Sequence, residues 1–411
     1  MRNKKKRIYL DYAATTPVDK MVLKAMMPYF SSKFGNPMSI HSFGQEALEV
    51  MEKARQTIAN FLNSSKDEII FTSSATEANN LVIKGVVDFY YYKFGHNAPK
   101  PHIVTTQFEH HSVLNVCKTL EKEDLTEVSY LKISKDGLID LNEVKEKIKK
   151  PNTILVSIMY VNSEIGTVLP IEQIGDLIKK IRKDKYPLFH TDATQAVNYF
   201  SQDTSRLGVD LLSISSHKVY GPKGVGALYI RNGTPIKQVF YGGEQEDGLR
   251  PGTHNVSGII GFGKAIEIVS ANKEKESARI KKLRDYLIER VLKEIPDSAL
   301  NGSKINRCPN NCNFRFKNIE GESLVLMLDV QGIATATGSA CSSSSLKPSH
   351  VLLSLGLKPE EAHSSLRIAL GRYTTKKEIE FTINKLKQVV CKLRKLSGSI
   401  LLDYLKKNEI N

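Results

Sequence analysis

Short runs of apolar and β-branched residues recur along the chain at 68–72, 102–106, 153–158, 188–191, 210–213 and 227–230. Amphipathic helical patterns fall between and around them, near 77–88, 112–121 and 171–182. A strand that is apolar at nearly every position, rather than at every second one, is buried on both faces. Such strands alternating with amphipathic helices predict a mostly parallel sheet covered by helices on both sides. A long helical stretch follows over 256–292 and is expected to break into more than one helix. Beyond it the pattern changes, and 312–316, 324–330 and 366–369 read as pieces of a smaller α+β domain. No internal repeat and no long flexible linker interrupts the chain.

With 411 residues the chain is long enough for two domains with large cores. Hydrophobic residues make up 41% and charged residues 25%, an ordinary globular balance. No apolar run approaches the roughly 20 residues that span a bilayer. The basic start, Met1-Arg2-Asn3-Lys4-Lys5-Lys6-Arg7, leads straight into the first predicted strand. It lacks the apolar stretch of about 7–15 residues of a signal peptide, so a cytoplasmic protein without a membrane segment is expected. The net charge of +15 raises the question of nucleic acid. Lys and Arg are spread along the chain, however, and are densest on helical stretches such as 179–183 and 279–282. No aromatic-plus-basic stacking motif accompanies them, which predicts solvated helix faces and no direct nucleic-acid binding. An acidic carrier protein or a tRNA-modifying partner remains compatible with that surface.

Five cysteines, Cys117, Cys308, Cys312, Cys341 and Cys391, are too few and too scattered for a disulfide framework. Cys308 and Cys312 form a C-x3-C without a second pair, so no zinc site and no other metal is expected. Cys117 sits in an apolar helical pattern and reads as core. Cys341 lies in Gly338-Ser339-Ala340-Cys341-Ser342-Ser343-Ser344-Ser345, a run of small residues without helix or strand preference. An exposed thiol on a loop of that kind suits a nucleophile. Taken alone, an incidental cysteine in a Ser-rich loop is the simpler reading.

The run Ser215-Ser216-His217-Lys218-Val219-Tyr220-Gly221-Pro222-Lys223-Gly224 holds a lysine in a turn rich in Gly and Pro. A lysine kept from bulk water by a rigid turn has a lowered pKa, and its free amine can form a Schiff base with an aldehyde. The run resembles the pyridoxal-phosphate lysine motif of cysteine desulfurases of the NifS/IscS type, members of the class V aminotransferases. Tyr9 to Thr16, Phe34-Gly35-Asn36-Pro37, Phe71 to Asn80, Glu109-His110, Asn162 to Gly166 and His190 to Gln195 resemble the family's other landmarks, in family order. Arg250-Pro251-Gly252-Thr253, Thr337 to Cys341 and Leu366 to Arg372 complete a likeness that covers nearly the whole chain. One short motif is weak evidence, whereas an ordered set is strong.

The resemblance implies fold type I, with a seven-stranded, mostly parallel sheet in a large cofactor-binding domain over 18–262. Residues 1–17 and 263–411 then form a small α+β domain that carries the cysteine loop. It also implies roles, residue by residue. Lys218 anchors pyridoxal 5'-phosphate and moves protons, Asp192 faces the pyridine nitrogen, His110 stacks on the ring and serves proton transfer, and Gln195 bonds the ring hydroxyl. Ala75 and Thr76 open a helix whose N–H groups favour a phosphate, and Ser215 and His217 add donors. Thr253 reaches the phosphate from a second subunit, which implies a homodimer. Asn162 and Arg367 hold the substrate carboxylate, a task suited to Arg's planar fork, and Asn36 is a further substrate-binding residue. Cys341 takes sulfur from L-cysteine as a persulfide, leaving L-alanine, and a sulfur-acceptor protein (an iron–sulfur scaffold or a tRNA-thiolation enzyme) collects it. Ser163 and Pro251 depart from the commoner family residues, and the tail at 400–407 differs from the ending with which housekeeping members grip the iron–sulfur scaffold. A selenocysteine lyase or another class V aminotransferase-like enzyme is the alternative, with a non-catalytic basic binding protein behind both.

Overall fold

The computed structural model describes residues 7–182, 184–338 and 347–408, with side chains to residue 396. Along the chain the strands are β1 Ile8–Tyr9, β2 Ile69–Thr72, β3 His102–Thr106, β4 Glu127–Leu131, β5 Thr153–Ser157, β6 Leu188–Asp192, β7 Leu211–Ser215, β8 Gly226–Ile230, β9 Ser298–Leu300, β10 Asn311–Phe316, β11 Ile333–Ala334 and β12 Ser365–Ala369. Seven of them form one sheet in the order β2-β8-β7-β6-β5-β3-β4. Of its seven strands β8 alone runs opposite to the other six. A mostly parallel sheet is therefore what the buried strand pattern builds.

Successive residues of a strand point to opposite faces, and the two faces make separate cores. Val104, Val156 and Leu212 pack with Ile58 and Leu62 of the helix Ser42–Leu62. Their immediate neighbours Ile103, Leu155 and Leu211 pack on the other side with Leu81, Val82 and Val86 of the helix Ala75–Phe94. Cys117 belongs to that second face, fully buried on the helix His111–Lys122. The edge strand β4 is exposed at Glu127 and buried only at Leu131, which is why no continuous apolar run announces it.

A third core joins Ile8 and Leu10 to Phe314, Phe316, Leu324, Ile333, Leu366 and Ile368. It lies on the antiparallel sheet β12-β10-β9 and the parallel pair β1–β11, in which Ile8 faces Ile333. The N-terminal strand is thus built into the C-terminal part of the molecule. Val256–Glu294 is one helix of 39 residues, not several. Ile259, Phe262 and Val269 enter the first core, whereas Ile280, Leu287 and Val291 enter the third. The Lys- and Glu-rich turns between them are good helix formers, so burial is interrupted but the backbone is not. Among the described residues no helix is long and apolar enough to cross a membrane, and no three His, Cys, Asp or Glu side chains converge as metal ligands.

Candidate active site

A cavity of about 200 Å³ opens where β6 and β7 end and the helix Ala75–Phe94 begins. Ligands of open α/β sheets bind at such strand ends. Ala75, Thr76, His110, Asp192 and Gln195 line it, together with Ser215, His217, Lys218 and Arg367.

Asp192 is the last residue of β6 and is 8% exposed. Asn79 Nδ2 donates to its Oδ2 at 2.8 Å and the Thr194 N–H to its Oδ1 at 3.0 Å. The same Asn79 amide donates to Ser112 Oγ at 2.8 Å, and Ser112 Oγ lies 2.8 Å from His110 Nδ1. One buried amide therefore ties the carboxylate to the imidazole across the cavity floor. Asn79 stands inside the run from Phe71 to Asn80, yet nothing in the sequence marks it as a link. At the centre of β6, two residues before Asp192, burial holds His190 down at about 4, neutral between Ser157 and Ser213.

Ser74, another lining residue, caps the helix Ala75–Phe94 by accepting from the Glu77 N–H at 3.2 Å. The first N–H groups of that 20-residue helix point toward the cavity end lined by Ala75 and Thr76, where the helix dipole favours an anion. His217 is pulled down to about 4 by burial, with Lys218 and Lys223 adding to the effect. It enters the cavity as a neutral hydrogen-bonding ring.

Lys218 closes the turn after β7, and its Nζ donates to the carbonyls of Ala13 at 2.5 Å and Ala14 at 2.7 Å. Gln195 Nε2 also donates to Ala13, at 3.0 Å. Thr16 Oγ1 donates to the His217 carbonyl at 2.9 Å and accepts from the Tyr220 N–H at 2.9 Å. The lysine turn is thus strapped to the N-terminal segment. Tyr220 is buried with φ at +64°, a conformation uncommon for a side chain this large. The Arg372 N–H donates to its hydroxyl at 2.6 Å and the Arg372 guanidinium lies 4.2 Å from its ring centroid. Alanine carbonyls carry no sequence signal, so this cradle is a feature only the structure shows.

Three expected site residues lie elsewhere. Asn162 is buried, with Nδ2 donating to Phe108 O at 3.0 Å and Oδ1 accepting from the Glu164 and Ile165 N–H groups. Its neighbours Val161 and Ser163 line the cavity instead. Asn36 is exposed and accepts from the Met38 N–H at 3.0 Å. Thr253 is exposed in a separate groove beside Glu77, Tyr241 and Arg250. Cys341 lies outside the described residues. Next to the cavity, Glu109 is fully buried and accepts from Thr106 Oγ1 and the Met159 N–H, while burial pushes its carboxyl up to about 8.

The donor set fits pyridoxal phosphate. An amine, a carboxylate and a helix N-terminus that line one cavity match an aldehyde, a ring nitrogen and a phosphate. Thr194 Oγ1, a cavity-lining hydroxyl, is also buried without a hydrogen-bond partner.

Known proteins match along the chain. The family described as aminotransferase class-V matches residues 8–381. A cysteine desulfurase IscS of Dictyoglomus turgidum is 50% identical over 393 residues, covering 96% of this chain and 97% of its own. Cysteine desulfurase IscS 1 of Archaeoglobus fulgidus is 45% identical, covering 95% and 98%. Among solved structures, a NifS-like protein superposes with a TM-score of 0.86 at 36% identity, covering 94% of this chain and all of its own. SspA, solved in complex with cysteine, gives 0.77 at 37% identity, covering 90% and 100%.

Proposed function

We propose that this chain, which belongs to the aminotransferase class-V family, uses its cavity as the active site of a pyridoxal-phosphate-dependent cysteine desulfurase. The observation that carries the reading is the convergence of Lys218, Asp192 and the Ala75 helix start on one volume. Bound pyridoxal phosphate supplies an electron sink for the charge left on a substrate carbon. Lys218 anchors it and then moves the proton at the substrate Cα, with the Ala13 and Ala14 carbonyls holding the amine when it is free. Asp192 keeps the pyridine nitrogen protonated, fixed by Asn79. His110 covers the ring face, Gln195 meets the ring hydroxyl, and Ala75, Thr76, Ser215 and His217 hold the phosphate. Arg367 binds the substrate carboxylate, and Asn162 supports that corner through the backbone it pins.

The Cys341 thiolate attacks the sulfur of L-cysteine. The new S–S bond forms as the Cβ–S bond breaks, its electrons return to the substrate carbon, and protonation of Cβ gives L-alanine. Cys341 keeps the sulfur as a persulfide, which a sulfur-acceptor protein collects for iron–sulfur clusters or tRNA thiolation. Thr253 of the partner subunit completes the phosphate site in a homodimer, supported by its exposure away from its own cavity. The two-domain division and a cytoplasmic location belong to the same reading. The core that joins Ile8 and Leu10 to the C-terminal strands supports the division.

Mass spectrometry after brief incubation with L-cysteine tests the reaction. An added sulfur on the Cys341 peptide, with alanine release lost in Cys341→Ser, is expected. Normal turnover by Cys341→Ser, or sulfur found only on another cysteine, would overturn it.

A further inference from the structure

Arg367 lies on β12 with its side chain 2% exposed, and it reaches the cavity wall. Its Nη2 donates to Asp11 Oδ1 at 2.8 Å, its Nη1 to the Ser163 carbonyl at 3.3 Å, and its Nε is buried without a partner. Asp11 is held in turn by the backbone. It bridges Ala369, two residues past Arg367, while the Ala369 N–H donates to Leu10 O at 2.7 Å and the Tyr9 hydroxyl to the Asp11 carbonyl at 3.0 Å. The Tyr9 hydroxyl feels both charges. Burial raises it to about 12, with the Asp11 carboxylate adding to the rise and the Arg367 guanidinium opposing it.

A guanidinium that serves only to attract a carboxylate needs no acid beside it. Asp11 fixes its orientation and gives it a like-charged competitor for any arriving carboxylate. L-cysteine and L-alanine present the same carboxylate, so binding at that group holds substrate and product alike and cannot favour the reaction between them. Surplus affinity there slows alanine departure. We propose that Asp11 is a positioning residue that orients Arg367 and sets how tightly the site holds the substrate's α-carboxylate.

This rests on Arg367 binding that carboxylate, and the test separates the two claims. L-alanine and L-alaninamide, which lacks the carboxylate charge, are titrated into the cofactor-loaded protein and followed by the cofactor absorbance. Asp11→Asn keeps the Oδ1 acceptor and removes the charge. It should tighten L-alanine by about tenfold, the scale of one close charge interaction in a partly buried site, and leave L-alaninamide unchanged within about twofold. Its KM for cysteine should fall, with kcat no higher. Asp11→Ala also loses the orienting bond and should bind L-alanine about tenfold more weakly than Asp11→Asn. Arg367→Ala should weaken L-alanine by about a hundredfold and L-alaninamide far less. Unchanged L-alanine binding in Arg367→Ala overturns the carboxylate assignment and this proposal with it. Weakened binding in Arg367→Ala, together with Asp11→Asn that matches wild type or moves both ligands equally, overturns the role of Asp11 alone. Thermal melting of the cofactor-free variants supplies the remaining control. A lowered melting temperature with wild-type affinities would mark Asp11 as structural only, and the proposal would fall.

Discussion

Replacing Glu246 with Gln should unpin the segment that leads to Thr253. Glu246 turns inward because it and Asp247 adopt left-handed backbone angles, at φ +49° and +55°. Its Oε2 accepts from Arg55 Nη1 and the Phe71 N–H, both at 2.7 Å. Its Oε1 accepts from Arg55 Nη2 at 2.7 Å and lies 2.8 Å from His254 Nε2. The side chains of Glu246 and Arg55 are 1% and 10% exposed. Burial alone would raise the carboxyl, but hydrogen bonds from Arg55 and His254 outweigh it and hold the group at about 2 instead of 4.5. At about 1.4 kcal/mol per tenfold, that difference corresponds to roughly 3 kcal/mol of stability linked to ionisation of the group at neutral pH. Removing one partner of a buried pair costs about 3–5 kcal/mol because the other charge is stranded. The two figures agree.

A carboxyl depressed in the folded state stabilises the fold above its unfolded value. The contribution should therefore be complete above about pH 4.5 and vanish as pH falls through about 2. Urea unfolding followed by far-UV circular dichroism suits a chain with no tryptophan, at one fixed protein concentration. Glu246→Gln should lose about 3 kcal/mol at pH 7. Arg55→Met combined with Glu246→Leu should recover most of that loss. A loss under about 1 kcal/mol would refute the reasoning, since it would put the pair on the scale of a solvated surface ion pair.

Lys218→Ala should leave the protein folded but colourless, and borohydride should fix the cofactor to the Lys218 peptide of the wild type only; a yellow, reducible Lys218→Ala sinks the assignment. Thr253→Ala should raise the dissociation constant for pyridoxal phosphate by about tenfold, the scale of one hydrogen bond to a charged group, while sedimentation still gives a dimer; unchanged affinity removes Thr253 from the site. Glu109 keeps a proton in the folded state that the unfolded chain gives up between about pH 4.5 and 8, so folding stability should fall as pH rises across that window. Glu109→Gln cannot ionise and should flatten the fall, and equal pH slopes in urea unfolding would contradict the buried-acid account.

What the sequence makes visible is set by the distance over which each cause acts. The strands β2, β3, β5, β6, β7 and β8 are buried at every position, so their apolar runs carry the signal within four or five residues. β4 hides because its residues face partly outward and alternate with polar ones. The long helix misleads for a related reason. Its apolar stripe stops near Val269 and resumes at Ile280 as it passes from one core to another, which in one dimension looks like two helices. Around the cavity, Lys218, Asp192 and His110 are chemically distinctive and stand in recognisable runs. Ala13, Ala14 and Asn79 act through a carbonyl or an amide whose importance arises only when distant segments meet. Ala13 and Lys218, 205 positions apart, meet because the N-terminal segment is tied to the lysine turn through the bonds of Thr16 to His217 and Tyr220. Asp11 belongs to the same class, since its carboxylate matters only because Ala369 pairs with its backbone and brings Arg367 alongside. Candidate site residues with chemically distinctive side chains can therefore be named from sequence, whereas the network that orients those side chains is a property of chain topology.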